Sequence, residues 1–512
     1  MSKRTESSIS KANDTAELPD GSLLAALDLG SNSFHLLIGR LEHGEIKPVH
    51  TLAEKVQLGA GLNRRKLSQN AIERGLACLK QFAQLLKSVE PSRIRVVGTH
   101  ALRRANNRQE FTQPAEHILG VPIDVVYGRE EARLIYLGVA HALADDERSR
   151  LVVDIGGGST EFIVGRRFEP TRLESLQLGC VSYADAYFPN GKISKRRFCN
   201  AYEKAMIEVS HIRKHYSSKH WSEAVGSSGT LQAIETLIRI NGWSQNGIDS
   251  TSLERLRKSL LKYKHADEIP WEGLSDKRRQ VLAAGVAIAL AIFKGLGIEK
   301  MRTSRGALRE GVVYDLVGRL RHEDVRERTI GALIARYNAD PLASDSVATT
   351  VQNLSTAVGK CWRLGNRDIE LLVWAGRCHD IGVAISQKHY NRHSAYLLEN
   401  SDLPGFSQGE QELLAVLVNH QRGKLRKDEL NTIRIKHGDK ASKMLAILRL
   451  AVVLKWTEDL EDLQVKACRT SLHLCFPAQW YKDHPLTAKE LLLSSSGIKK
   501  LGLQLQLQLQ LD

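Results

Sequence analysis

Hydrophobic and polar positions in the first part of the chain alternate with the periods of strands and helices. Apolar runs at residues 23–29 and 34–38 flank a polar turn, the pattern of a β-hairpin. Residues 67–86 then carry apolar side chains at helical spacing. Short β-branched runs at 94–97 and 123–126 predict two more strands, and residues 128–136 predict a helix.

The same order of elements then begins again. Apolar runs at 151–154 and 161–164 flank a second turn, and each turn follows an aspartate, Asp28 in the first hairpin and Asp154 in the second. A third Gly/Ser loop at 225–230 opens a helix, and residues 301–310 predict a further turn. Two halves that begin with the same hairpin imply a cleft between them.

After about residue 320 strand patterns disappear, and helical periodicity dominates to about residue 460. Residues 501–511 alternate strictly, which predicts a frayed or edge strand. The predicted division is a disordered tail at 1–21, half I at 22–135, half II at 136–320, a helical region at 321–465 and a small α/β subdomain at 466–512.

Composition narrows the class of protein. The chain has 512 residues and a formal net charge of +15, which favours polyanionic partners without choosing among them. Its seven cysteines include no CxxC pair, and the polar N-terminus has no secretory pattern, so we expect a cytoplasmic protein. The apolar stretch 281–293 is too short to span a bilayer and predicts a core helix. The charge permits peripheral contact with an anionic membrane.

The two hairpin turns have the composition of phosphate-binding loops. Glycine lets backbone N–H groups approach an anion, and hydroxyl and amide side chains add donors. One such loop is weak evidence, because any tight hairpin has a similar composition. Two loops in the same context, each led by an aspartate, are more specific, and no Walker-type GxxxxGK[ST] sequence occurs.

Three carboxylates are candidate ligands of a metal ion. Asp28 and Asp154 each end an apolar run, where a carboxylate is poorly hydrated unless it meets a cation or donors. Glu161 follows the second loop. With phosphates nearby the expected cation is Mg²⁺, which binds one or two carboxylates, waters and phosphate oxygens. The alternative is that each aspartate only caps its own turn.

Hydrolysis also needs a base for the attacking water. Glu130 and Glu131 open a predicted helix, and the residues alone leave the choice between them open. Four arginines in the same half supply cations suited to phosphate oxygens, namely Arg103, Arg104, Arg129 and Arg133.

These motifs together resemble the exopolyphosphatase/guanosine pentaphosphate phosphohydrolase family. The resemblance covers nearly the whole chain. It rests on DLGSNSFHLLI (28–38), VGTHALRRA (97–105), GREEARLIYLGV (128–139), VVDIGGGSTEF (152–162), GSSGT (226–230), GALREGV (306–312) and RHSAYLLENSDLPGF (392–406).

The resemblance implies an α/β fold of actin-like (ribonuclease H-like) duplicated halves, with an appended all-α HD-like C-terminal region. It implies Mg²⁺-dependent removal of terminal orthophosphate from inorganic polyphosphate, with Glu131 as the catalytic base, and a homodimer. Asp28, Asp154 and Glu161 are then the metal ligands. Phosphate binding is assigned to Ser31, Asn32, Ser33, Arg103, Gly156, Gly157, Gly158, Ser159, Thr160 and Gly229.

The helical region contains Cys378-His379-Asp380, which is similar to the core of the HD phosphohydrolases. His393 and His420 are available as further ligands, but no histidine lies between 323 and 378. The segment 448–454 lacks the aspartate that such domains carry. We therefore expect an HD-like fold that has lost its catalytic site.

Exopolyphosphatase is the first functional hypothesis, because the positive charge and the helical extension favour a long polymer. Hydrolysis of the 5′ terminal phosphate of guanosine pentaphosphate would use the same chemistry and is the alternative. An actin-like kinase or ATPase would share the Asp-led loops, although the EEAR segment argues against it. Specific nucleic-acid binding is not expected, because aromatic and basic residues form no stacking platform.

Overall fold

The computed structural model describes residues 18–143, 147–271, 274–321, 324–457, 460 and 463–510. Its contacts divide the chain into one unit that ends at Asp324 and a second that begins at Val325. Most of the predicted tail, residues 1–17, lies outside the described residues. The prediction of disorder is wrong for residues 18–21, because Leu18 is buried in the core and Asp20 accepts a hydrogen bond from the His43 N–H.

The first half of the first unit is a five-stranded sheet with helices against it. Its strands are β1 (Leu23–Leu29), β2 (Phe34–Glu42), β3 (Glu45–Glu54), β4 (Leu62–Asn63), β5 (Lys66–Leu67), β6 (Ile94–Gly98) and β7 (Ile123–Val125), and its helices are α1 (Gln69–Leu86), α2 (His100–Arg104), α3 (Gln109–Leu119) and α4 (Gly128–Ala142). The sheet order is β3-β2-β1-β6-β7, with β1, β6 and β7 parallel, while β4 and β5 pair separately. The predicted hairpin is confirmed, since β1 and β2 pair antiparallel with Asp28 opposite His35.

The second half repeats this topology. Its strands are β8 (Ser149–Ile155), β9 (Thr160–Arg166), β10 (Glu169–Leu176), β11 (Glu223–Gly226), β12 (Ile248–Asp249) and β13 (Lys300–Thr303), and its helices are α5 (Cys180–Tyr187), α6 (Lys195–Tyr216), α7 (Gly229–Ile240), α8 (Ser250–Leu260), α9 (Asp276–Leu296) and α10 (Leu308–Leu320). The sheet order is β10-β9-β8-β11-β13-β12, so β8, β9, β10, β11 and β13 occupy the places of β1, β2, β3, β6 and β7. The predicted turn at 301–310 is in part the strand β13, after which the chain turns into α10.

Helices α4 and α10 lie side by side in a core that contacts both sheets. Their backbones approach closely: a Cβ on Gly138 would meet the Ala307 carbonyl, and a Cβ on Gly311 would meet the Leu134 carbonyl. The predicted boundary between residues 135 and 136 falls inside α4, which packs on β9 and β10 of the second half. The N-terminal end of α4 is therefore held between the two halves.

Helix α9 is the one helix among the described residues that is long and apolar enough to cross a membrane. It contains the predicted core segment, and 78% of its most apolar window is buried. Its Ala-rich faces pack against α5, α6, α7 and α8, which is the environment of a core helix.

The second unit begins with helices and ends with a small sheet. Its elements are α11 (Val325–Arg336), α12 (Pro341–Trp362), α13 (Asn366–Arg377), α14 (Tyr390–Asn400), α15 (Gln408–His420), α16 (Lys427–Leu454), β14 (Gln464–Cys468), β15 (Ser471–Pro477), α17 (Ala478–Asp483), α18 (Pro485–Lys500) and β16 (Gln504–Gln510). The sheet order is β14-β15-β16, and the alternating C-terminal segment forms the edge strand β16, although Leu511 lies outside the described residues. The sheet shares one hydrophobic core with the helices, so the described part of the predicted subdomain, residues 466–510, has no separate core.

Candidate active site

The two predicted phosphate-binding loops face each other. A Cβ added to Gly157 in the second loop would lie 3.4 Å from the Ser31 Cβ and 3.5 Å from the Asn32 Cβ in the first loop. The second loop is fixed from behind by α5, whose first N–H groups, on Cys180 and Val181, each donate to a loop carbonyl at 2.9 Å. The cleft expected from the sequence repeat is therefore present within the first unit.

Three carboxylates approach one another between these loops. Asp154 and Glu161 are direct cross-strand partners on β8 and β9, so they share one face of the sheet. Asp28 occupies the equivalent place on β1, opposite His35. Asp28 is half-buried, yet its Oδ1 is shielded from solvent and accepts no hydrogen bond from any described residue.

The electrostatics confirm that these carboxylates lie within range of one another and of Glu131. Burial, with added repulsion from Glu131 and Asp154, raises the pKa of Asp28 well above its usual range. Burial likewise raises the pKa of Asp154 to about 7, although a hydrogen bond from Ser227 opposes the shift. The pKa of Glu161 is raised well above its usual range by burial and then by Glu131 and Asp154.

The adjacent residues Glu130 and Glu131 have different surroundings, although both are buried. Glu131 accepts a hydrogen bond from Arg103 Nη1 at 2.9 Å, and the same nitrogen donates to the Val126 carbonyl at 2.8 Å. The charge of Glu131 also raises the pKa of each of the three carboxylates in the cleft. The side chain of Glu131 thus faces the cleft.

Glu130 instead belongs to a buried ion-pair network beneath the cleft. Its two oxygens accept from Arg133 Nε and Nη2, each at 2.8 Å. Arg133 also pairs with Asp315 on α10, which in turn pairs with Arg95 on β6 and with Arg319. The prediction that Arg133 offers a cation to phosphate is wrong, because both buried carboxylates already hold its guanidinium.

Some of the remaining predicted residues have a group free to bind a ligand, and others already bind a partner within the protein. Ser31 is buried, and its hydroxyl has no hydrogen-bond partner among the described residues, so it is free to meet a ligand. The Thr160 hydroxyl donates to the Leu178 carbonyl, which leaves that side chain a structural role. The Gly229 carbonyl accepts a hydrogen bond from Arg278, while Arg129 pairs with Glu174 at 3.2 Å on the surface.

Several residues of the site are absent from the predictions. His100 packs against the second loop, where a Cβ on Gly158 would strike its imidazole ring, and burial lowers the pKa of His100 to about 4. Ser227 contacts Asp154, and Ser228 beside it has φ of 128°, a strained backbone for a residue with a side chain. The GSSGT sequence marked this loop, but no sequence signal joined it to Asp154.

No group of three or more His, Cys, Asp or Glu side chains that could hold a metal ion by itself occurs in the part of the chain that the structure describes. In the second unit, His379 is fully buried and its Nδ1 lies 2.8 Å from the Gly376 carbonyl oxygen. His379 Nε2 lies 3.6 Å from Asp380 Oδ2. The loss of catalysis at this HD-like dyad stays a prediction.

The fold and the cleft define a class: an actin-like protein of two duplicated halves, with buried carboxylates and two Gly/Ser-rich loops in the cleft between them. Residues 37–320 match the family model of the Ppx/GppA phosphatase family, and residues 325–495 match Ppx/GppA phosphatase, domain III. The chain belongs to the Ppx/GppA phosphatase family and is an enzyme. The kinase or ATPase alternative is therefore not supported.

Curated relatives resemble the chain over almost its full length. A guanosine-5'-triphosphate,3'-diphosphate pyrophosphatase of Pseudoalteromonas translucida is 37% identical over 495 residues, which is 95% of this chain and 98% of the relative. The protein of that name from Vibrio cholerae is 39% identical over 491 residues, again 95% of this chain and 98% of the relative.

Solved structures confirm the fold of part of the chain. An exopolyphosphatase from Cytophaga hutchinsonii aligns with a TM-score of 0.53 at 22% identity, over 58% of this chain and 98% of that one. An exopolyphosphatase-like protein aligns with a TM-score of 0.54 at 24% identity, over 59% of this chain and 99% of that one. At this identity the likeness concerns the fold alone.

Proposed function

We propose that this enzyme hydrolyses the terminal 5′ phosphate of guanosine pentaphosphate, the guanosine nucleotide with a 5′-triphosphate and a 3′-diphosphate. The reaction class is supported by the buried carboxylates that converge between two phosphate-binding loops. The substrate rests on one observation, the near-complete similarity to relatives named for that nucleotide.

Glu131 is the proposed base that takes a proton from the attacking water. Glu130 is poorly suited to that task, because Arg133 binds both of its oxygens and the pair is buried. Arg103 bonds only one oxygen of Glu131, Oε2, and so leaves Oε1 for a water molecule. A base that orients and deprotonates water contributes about 10²–10⁴-fold to the rate.

The terminal phosphate would lie between the turn that contains Ser31, Asn32 and Ser33 and the turn that contains Gly156, Gly157, Gly158 and Ser159. A Cβ on Gly157 would contact Ser31 and Asn32, so glycine at this position keeps open the space in which one phosphate group can meet donors from both turns. The unpartnered hydroxyl of Ser31 is a donor for a phosphate oxygen. Arg103 lies on the same side as Glu131 and would neutralise charge on the phosphate.

The donor set fits Mg²⁺ as the cofactor, held by Asp28, Asp154 and Glu161. Buried carboxylates with raised pKa values gain most from a nearby cation, and Asp28 Oδ1 has no other partner in the described chain. These three carboxylates do not form a ready three-ligand group among the described residues, so the ion would bind one or two of them directly and complete its coordination with water and substrate phosphate. Bound there, Mg²⁺ would neutralise charge that develops on the phosphate oxygens.

Exopolyphosphatase activity is the second candidate, because removal of a terminal orthophosphate from polyphosphate would use the same carboxylates and loops. The helical extension does not favour polyphosphate over the guanosine nucleotide. The relatives named for the guanosine nucleotide are covered over 98% of their length, and they therefore share this extension. The charge of +15 attracts a polymer and a multiply phosphorylated nucleotide alike.

Parallel measurements of kcat/KM on guanosine pentaphosphate and on long-chain polyphosphate test the proposal, with Mg²⁺ present and orthophosphate release as the readout. We expect kcat/KM to be at least about tenfold higher for the nucleotide, which is a difference of about 1.4 kcal/mol in transition-state binding. A higher value for polyphosphate would replace the proposed substrate with the second candidate.

A further inference from the structure

Ser175 stands at the end of a row of polar side chains that crosses the second sheet. Asp154 on β8 is paired in register with Glu161 on β9, and Glu161 is paired in register with Ser175 on β10. Cross-strand partners lie on the same face of a sheet. The row therefore leads from one candidate metal ligand to the next and then to a hydroxyl group.

The first sheet has no such hydroxyl at the equivalent place. There the row runs from Asp28 to His35 on β2 and then to Ala53 on β3. The two halves share their topology, so this difference is local and not a consequence of the fold. Ser175 is therefore a feature of the second half alone, and Ser159 of the second loop is the other hydroxyl that hydrogen-bonds Glu161.

The contact between Ser175 and Glu161 is a direct hydrogen bond. Ser175 Oγ donates to Glu161 Oε1 at 2.8 Å. Glu161 is 1% exposed, so water cannot replace this donor without rearrangement. A hydroxyl both donates and accepts, and can therefore hold the carboxyl group in either protonation state.

Ser175 also touches the start of α4, the helix that carries Glu131. A Cβ added to Gly128 would lie 2.5 Å from the Ser175 Cβ and 2.6 Å from its Oγ, with Arg103 Nη2 3.8 Å away. Glycine at position 128 thus leaves the space that Ser175 occupies. Ser175 is wedged between the Glu161 carboxylate and the helix that carries the proposed base.

We propose that Ser175 is a positioning residue that fixes the Glu161 carboxylate by binding Oε1, so that Oε2 is presented to a divalent cation in the cleft. This inference rests on the proposed function, since it takes Glu161 as a metal ligand. Ser175 itself contacts neither the cation nor the substrate. Loss of a group that orients a metal ligand typically weakens metal binding 10–100-fold.

The test is Mn²⁺ binding by the full-length protein in the presence of inorganic phosphate, followed by electron paramagnetic resonance. Ser175→Ala is expected to weaken Mn²⁺ binding about tenfold, and to raise by a similar factor the Mg²⁺ concentration for half-maximal activity, with kcat at saturating Mg²⁺ little changed. Ser149→Ala is the matched control, because Ser149 also makes one hydroxyl hydrogen bond, to the His220 carbonyl at 3.0 Å, at the far end of β8.

A second variant keeps the hydroxyl and moves it. Gly128→Ala places a methyl group against Ser175 and is expected to weaken Mn²⁺ binding in the same direction. Wild-type Mn²⁺ affinity in Ser175→Ala, with the fold verified by circular dichroism, would overturn the proposal. So would equal weakening in Ser149→Ala. Because metal binding is measured without nucleotide, a wrong substrate assignment would leave this result unchanged.

Discussion

Glu131→Gln and Glu130→Gln are expected to differ in opposite ways: the first lowers kcat and spares stability, and the second lowers stability and spares kcat. Glu131→Gln removes the proposed base and also removes a negative charge that raises the pKa values of Asp28, Asp154 and Glu161. We expect kcat to fall about 10³-fold. The free energy of unfolding is expected to stay level or to rise, because repulsion among the carboxylates is relieved.

Glu130→Gln acts on the network beneath the cleft. It removes one carboxylate from a cluster in which Glu130, Arg133, Asp315 and Arg95 are each less than a tenth exposed. Loss of one carboxylate from this buried cluster costs about 3 kcal/mol of stability, because Arg133 keeps only Asp315 as a partner and the cluster is left with an excess buried positive charge. The melting temperature is expected to fall by several degrees, while kcat below that temperature stays within a few-fold of wild type.

The assay pairs steady-state orthophosphate release with thermal unfolding followed by circular dichroism, for wild type and both variants. Near-normal turnover in Glu131→Gln would refute its role as base. A large loss of kcat in Glu130→Gln with an unchanged melting temperature would refute the assignment of Glu130 to the network.

Two further predictions concern the metal and the second loop. Between pH 3.8 and about pH 7, Asp154 is protonated in the metal-free folded protein but ionised in the unfolded chain, because its pKa is raised on folding. The free energy of unfolding of the metal-free protein therefore falls as pH rises through this window. Mg²⁺ must displace that proton, and its apparent affinity should fall at least about tenfold per unit as pH drops below 7, because Asp28 and Glu161 also have raised pKa values. The rise in melting temperature on adding Mg²⁺ should therefore be larger at pH 8 than at pH 6, and equal rises would contradict the role of Asp154. Gly158→Ala would press a methyl group into His100 and displace the loop, so we expect kcat/KM to fall at least tenfold. Gly331→Ala on α11, where a Cβ meets nothing within 4 Å, is the control and should leave activity unchanged.

Local patterns predicted the hairpins and their aspartates well. Residues 23–29 and 151–154 alternate or run apolar up to Asp28 and Asp154, and the turn glycines follow at once, so a short window contains the whole signal. The repeat of that window also predicted the two related sheets and the cleft between them.

The choice between Glu130 and Glu131 was beyond the local pattern. The choice depends on which face of α4 packs against Asp315, and Asp315 lies 182 positions after Arg133 in the chain. Arg133 has the composition of a phosphate ligand, yet the close packing of α10 on α4 buries it. The family resemblance supplied Glu131 where the residues alone could not.

Ser175 was not predicted for a related reason. Its position opposite Glu161 depends on the register of β9 and β10, which includes an irregularity between Pro170 and Arg172. An extra residue in one strand changes which side chains share a face, so counting along the sequence misplaces the partner.

The most direct test of the account is the product analysis of a single reaction with guanosine pentaphosphate and Mg²⁺, followed by ³¹P nuclear magnetic resonance. The account predicts loss of the 5′ terminal phosphorus signal and growth of one equivalent of orthophosphate, with the 3′-diphosphate intact, in wild type and not in Glu131→Gln. Release of pyrophosphate, loss of the 3′-diphosphate, or no reaction under conditions in which polyphosphate is degraded would contradict it.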